Sequence, residues 1–212
     1  MAAETDARAS YPFTGGLFRV RLERQPSGAL YEYVERVGAV IVLATTEVDF
    51  ESHVITINNK GKDGGGQIEL PGGNSGFRGT VSPAYTGLRE LREETGYGYA
   101  PGDEPDISVL ALKDGSRSID YPRDLVVARN VQRLGEQQLD GDEDIEVLPP
   151  VSTRRLIREI THGETTLPAE VAVGFMIAKN ELGYSGLIDW ITKGEGEPQI
   201  FESFDPWLTP HN

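Results

Sequence analysis

Hydrophobic and polar positions alternate through residues 17–24, with Phe18, Val20 and Leu22 on one side and Arg19, Arg21 and Glu23 on the other. A period of two is that of a half-buried strand. Pro26-Ser27-Gly28 supplies turn chemistry, and a partner strand is predicted over residues 31–37. Residues 40–44 are all apolar, the pattern of a central strand covered on both faces. Further strands are predicted over 54–57, 67–70, 107–112, 124–131 and 144–148. The pattern changes at Ser82-Pro83, where Ser is suited to an N-cap and Pro to the first helical position. A helix is therefore predicted over 83–95, stopped by Gly96. Two more follow, over 152–162 with Gly163 at its end, and over 167–179 with Val171, Ala172, Phe175 and Met176 as a core-facing stripe.

Strands, one helix, strands and two helices in that order indicate a mixed α/β sandwich rather than a doubly wound sheet. The expected organisation is a loose leader (1–16), an N-terminal antiparallel extension (17–37), a main α/β domain (38–192) and a tail (193–212).

Composition narrows the chemistry. The 212 residues carry 34 acidic and 20 basic side chains, a formal charge of −14, and no cysteine. Disulfides, thiolate metal sites and thiol nucleophiles are excluded together. The acidity argues against nucleic acid as a partner, because phosphate-backbone binding needs clustered Lys and Arg. No apolar run approaches the roughly 20 residues of a membrane helix, and the first residues have no apolar stretch like that of a signal peptide. The expectation is a cytoplasmic protein without membrane contact. His53, His162 and His211 have no metal-ligand spacing. The Gly64-Gly65-Gly66 run lacks the Gly-Lys-Ser/Thr ending of a phosphate loop.

The helix over 83–95 carries the candidate chemistry. At about 100° per residue from Leu88, Ala84, Leu91 and Thr95 fall within about 60°, while Glu90, Glu93 and Glu94 lie between about 140° and 240°. Like charges at i, i+3 and i+4 destabilise an isolated helix by a few tenths of a kcal/mol each. A bound cation offsets that cost, and hard divalent ions take carboxylate oxygens together with substrate phosphates. The alternative is a solvated acidic face on which Arg89 bridges to Glu93.

The segment Arg89-Glu90-Leu91-Arg92-Glu93-Glu94-Thr95-Gly96-Tyr97, preceded by Glu69-Leu70-Pro71-Gly72-Gly73, resembles the Nudix hydrolase signature. No acid occurs between Gly73 and Arg89, where that pattern carries a further Glu. The resemblance extends over about residues 17–179 and is similar to the ADP-ribose pyrophosphatase branch. Residues 32–43 (EYVERVGAVIVL) match its paired entry strands, and residues 142–147 match its late acidic segment. It implies a Nudix-type α/β/α sandwich of mixed sheet with the N-terminal antiparallel extension. It also implies Mg²⁺ or Mn²⁺ held by Glu90 and Glu94, with Glu93 on a second ion or its water and the Gly72 carbonyl as a further ligand. Glu143 corresponds to the loop Glu that completes the metal site or acts as base. Arg89 is structural in this reading, pairing with a helix carboxylate.

Substrate contacts are implied at Glu32 and at Lys60 or Lys62, and Arg78, Arg117 and Arg123 are candidates for a local basic patch. The implied reaction is hydrolysis of the pyrophosphate of ADP-ribose or another nucleotide sugar, by a homodimer joined through the N-terminal strands. Two alternatives stay open: a nucleotide-sugar binding module without catalysis, and a hydrolase of nucleoside triphosphates or dinucleoside polyphosphates.

Overall fold

The structure, a computed structural model, describes residues 9–14, 16–61, 66–76, 81–112, 119–120, 123–141, 143–163 and 169–196. The first strands are β1 (Ala9–Thr14), β2 (Phe18–Arg24), β3 (Leu30–Arg36), β4 (Gly38–Val48), β5 (Glu51–Val54), β6 (Ile57–Asn59), β7 (Gln67–Glu69) and β8 (Gly72–Gly76). Helix α1 (Pro83–Thr95) follows, then β9 (Tyr97–Gly98), β10 (Ile107–Leu112), β11 (Ile119–Asp120), β12 (Arg123–Ala128) and β13 (Gln132–Arg133). The chain continues with β14 (Ile145–Val147), β15 (Val151–Ser152), α2 (Thr153–His162) and α3 (Ala169–Lys193).

The central sheet runs β10-β12-β4-β5-β15, with β8 also paired to β4. β12 lies parallel to β4, placing Leu125 beside Ile41 and Val127 beside Leu43, and the other pairings in this sheet are antiparallel. Both faces are covered. Val40, Val42, Ala44, Val126 and Ala128 pack with Leu91 of α1. Leu43, Leu125 and Val127 pack with Leu156, Ile157 and Ile160 of α2 and with Phe175, Leu187, Trp190 and Ile191 of α3. Alternation along β4 thus supplies both cores, as its unbroken apolar run required. The result is the expected mixed α/β/α sandwich. Two smaller sheets accompany it, β14-β6-β7 and β13-β9, beside the N-terminal sheet β1-β2-β3-β11.

Several elements differ from the sequence expectation. The leader contains β1, an edge strand on β2 whose register shifts between Ser10 and Phe13, around Pro12. A proline has no N–H for the ladder, so such a strand belongs at an edge and its run is obscured. The strand expected over 54–57 is divided. Ile55 and Thr56 carry the chain from the central sheet into the smaller one, with Ile55 N donating to Ala44 O (3.0 Å) and Leu148 N donating to Thr56 O (3.0 Å). The strand expected to reach residue 131 stops at Ala128, because Asn130 turns in the left-handed region at φ 55°. The last helix continues well past residue 179, broken at Gly183, where φ is 71° and ψ is 173°. Of its expected stripe only the Phe175 side chain is described, and it is buried; those of Val171, Ala172 and Met176 lie outside the described residues. No helix among the described residues is long and apolar enough to cross a membrane.

Candidate metal and phosphate site

Helix α1 begins and ends as its sequence directs. Ser82 accepts a hydrogen bond from Tyr85 N (3.5 Å), Pro83 opens the helix, and Gly96 closes it at φ 73° with its N–H on Arg92 O. The buried side is not the one centred on Leu88. It comprises Thr86, Gly87, Leu91, Glu94 and Thr95. Gly87 makes this possible, since a Cβ there would stand 3.0 Å from Val126 Cγ2 and 3.1 Å from Val40 Cγ1. The helix therefore lies close on the sheet and rolls Glu94 inward.

Glu94 is 5% exposed and its Oε2 accepts a hydrogen bond from Gly72 N (2.9 Å). Its pKa is pushed from the ordinary 4.5 up to about 8. Burial is the largest cause; the Gly72 N–H opposes it, while Glu90, Glu143 and Glu69 add repulsion. Glu90 is raised in the same direction, by burial first, against the pull of Arg89 and with repulsion from Glu93 and Glu143. The charge of Glu143, exposed on the turn before β14, is therefore felt at both helix carboxylates. Its Oε2 accepts from Asp140 N (3.0 Å). Arg89 pairs with Glu90 and with Glu93, the structural part expected of it.

The glycines before the helix are fixed by contact rather than by turn geometry. β8 runs antiparallel to β4, with Gly72 beside Ile41 and Gly73 beside Val40. A Cβ at Gly72 would overlap Val40 O, and one at Gly73 would overlap the Glu90 carboxylate. Gly72 thus binds the helix through its N–H and the central strand through its bare Cα, where the sequence suggested only close approach to a metal. The expected loop after Pro71 is this strand as far as Gly76.

The structure sets Glu90 and Glu93 on Arg89 and Glu94 on Gly72, and the Glu143 charge is felt at Glu90 and Glu94. It adds Glu69, at the end of β7, whose Oε2 accepts from Asn59 Nδ2 (3.5 Å) and whose charge is felt at Glu94. Sequence reasoning passed over Glu69; the signal was its place two residues before Pro71, on the strand that leads into the site. Lys60 pairs with the residues after Glu143, with Nζ 3.5 Å from Asp144 Oδ1 and 3.9 Å from Glu146 Oε2. Glu32 is exposed on β3 opposite Leu22, in another sheet. No hydrogen bond or ion pair given for the described residues joins Glu32 or Lys60 to the α1 carboxylates. Arg123 opens β12 instead of lying in a loop. Lys62, Arg78 and Arg117 lie outside the described residues.

Among the described residues no three acidic or histidine side chains already converge as a cation site. The donors nevertheless suit a hard divalent ion in kind. They are carboxylate oxygens throughout, their mutual repulsion is the kind a cation offsets, and Arg89 is the positive charge now lying between Glu90 and Glu93.

No family model and no curated protein matches this sequence. Solved structures do. A chain described as an ADP compounds hydrolase superposes on 85% of this chain and 95% of its own, with a TM-score of 0.51 and 18% identity. At that identity the likeness is one of fold: the chain has the Nudix-type α/β/α sandwich, with no branch singled out.

Proposed function

We propose that this protein is a metal-dependent hydrolase that cleaves the pyrophosphate linkage of a nucleoside diphosphate joined to another group, ADP-ribose or another nucleotide sugar. One observation carries the reading: Glu94, buried on the Gly72 N–H, feels the charges of Glu90, Glu143 and Glu69. Several carboxylates around one buried acid, with Arg89 as the cation on Glu90, are costly in a resting fold and useful for gathering cations against a diphosphate. The structural likeness to an ADP compounds hydrolase supports the same direction at the level of fold.

Glu90 and Glu94 hold Mg²⁺ or Mn²⁺ in this reading, with Glu93 on a second ion or its water and the Gly72 carbonyl as a further oxygen donor. When bound, the metal supplies charge neutralisation of the phosphate oxygens and a lowered pKa for the attacking water. The chain's own residues do the rest. Glu143, exposed and held by the Asp140 N–H, accepts the proton of the water that attacks phosphorus. The bridging oxygen leaves with one phosphate, so one water yields two phosphomonoesters. Arg89 exchanges its hold on Glu90 and Glu93 for solvent as the metal enters. Lys60, beside the Glu143 turn, and Glu32, on β3, are the proposed substrate contacts. The strongly acidic chain makes such a local cation valuable to an anionic substrate.

The proposal includes a cytoplasmic homodimer, joined through the N-terminal sheet. Phe18, Leu30 and Val34 are exposed on one face of the β2–β3 pair, which supports a covered face.

The test is a panel of nucleotide sugars, nucleoside triphosphates and dinucleoside polyphosphates with Mg²⁺ or Mn²⁺, with products identified by mass. The expected result is a nucleoside monophosphate plus a sugar phosphate. Tight binding of a nucleotide sugar without product would identify a binding module instead, and cleavage confined to triphosphates would reassign the substrate.

A further inference from the structure

The last turn of α1 leaves carbonyls without intrahelical partners, and the segment after β13 wraps around them. Glu93 O accepts from Gln138 N (2.7 Å), and Gly96 O accepts from Leu134 N (2.9 Å) and Arg92 Nη1 (2.9 Å). Glu94 O is met by a side chain: Gln137 Nε2 donates to it at 2.6 Å. The same nitrogen donates to Ile145 O at 3.0 Å. Both hydrogens of one amide are therefore used, one on the backbone of the buried helix carboxylate and one two residues beyond Glu143. Gln137 closes the base of the turn that carries Glu143 and fastens that base to the helix that carries Glu90 and Glu94.

We propose that Gln137 is a positioning residue, which sets the Glu143 carboxylate against the α1 carboxylates. This rests on the hydrolase reading above. The physical case is that Glu143 is exposed and that, among the described residues, its carboxylate accepts one local bond, from Asp140 N (3.0 Å), so its place depends on the turn beneath it. The small strand β14 pairs with β6, and α1 packs on the central sheet. Without the Gln137 amide these two bodies still meet, but no donor bridges Glu94 O to Ile145 O. Outer-shell groups of this kind typically change metal affinity or activity by about 10- to 100-fold when removed.

The test is a double-mutant cycle of Gln137→Met and Glu143→Gln, since Met keeps the length and removes both donors. Turnover and Mn²⁺ affinity are measured for the four proteins, the latter by direct titration without substrate, with thermal unfolding beside them. Gln137→Met is expected to lower kcat by about 10- to 100-fold with KM unchanged, and to weaken Mn²⁺ binding. In the Glu143→Gln background the same change is expected to add no further loss in either quantity. Gln137→Asn, which keeps an amide, is expected to recover part of the loss and stands in if the Met variant does not fold. Equal losses in both backgrounds overturn the proposal, because Gln137 would then act through α1 alone or through general stability. A parent that cleaves and binds Mn²⁺ while showing equal losses refutes this proposal only; a parent that does neither refutes the hydrolase reading and this proposal with it.

Discussion

Glu94 joins folding and chemistry in one side chain. Because its folded pKa is raised from 4.5 to about 8, the folded state holds this proton more tightly than the unfolded chain does. The stability it contributes is fully present below about pH 4.5 and is lost as pH rises through about 8. The metal-free protein should therefore melt at progressively lower temperature between pH 5 and pH 8, and Glu94→Gln should flatten that slope. Calorimetry of both proteins in chelator checks it; parallel slopes would remove Glu94 as the cause. The same variant should lose turnover while matching the parent's melting temperature near pH 5 and exceeding it near pH 8, since Gln is a neutral isostere of the protonated acid that still accepts from Gly72 N. Spacing alone made Glu90, Glu93 and Glu94 visible as a group. It did not show that one of them is buried, because the burial depends on Gly87 and Thr86, small and polar positions that a hydrophobic pattern discounts. Gln137 gave even less warning: it sits in the polar run Glu136-Gln137-Gln138, and its partner Glu94 O lies 43 residues away.

At the scale of elements, α1 was legible end to end, since Ser82, Pro83 and Gly96 are local signals whose effect does not wait for tertiary contacts. The strands β1, β6 and β8 were hidden for the opposite reason. Each is defined by the neighbour it pairs with, and each contains residues with weak strand preference: Pro12, Asn58 and Asn59, or Gly72 and Gly73. The two glycines of β8 should also separate experimentally. Gly72→Ala forces a Cβ against the Val40 backbone, which cannot yield, so its effect should be mainly on stability. Gly73→Ala meets the end of the Glu90 side chain, which can move, so turnover should fall by about tenfold or more with a much smaller change in melting temperature. Unfolding curves and rates on the two variants check the contrast, and a reversed pattern would show that β8 is placed differently.

Across the whole molecule, the sandwich is fastened by a residue the sequence did not flag. Arg129, 1% exposed, donates through Nε to Trp190 O and Ile191 O at 3.1 Å, through Nη1 to Asp106 Oδ1 (3.0 Å) and through Nη2 to Ser108 Oγ (3.1 Å). It ties the end of α3 to the sheet, far from the carboxylates. Arg129→Met takes the donor from Ile191 O, at about 1–3 kcal/mol, while Trp190 O keeps the Gly194 N–H (3.0 Å). For a chain of this size that corresponds to a fall of at least about 2 °C in melting temperature. The intact fraction should keep its turnover; a variant as stable as the parent would show that water replaces the guanidinium. The layer order of the fold was legible from the sequence of strand and helix patterns. The distribution of strands among the four sheets of the described residues was not, because it is set by turns at Ile55-Thr56 and Asn130, inside segments that each read as a single strand.

The account depends on α1 gathering a divalent cation, and a crystal soaked in Mn²⁺ tests that most directly through its anomalous difference map. The prediction is a peak between Glu90 and Glu94, with Arg89 turned away from Glu90. A map with no peak there, and with Arg89 still joining Glu90 to Glu93, would contradict it.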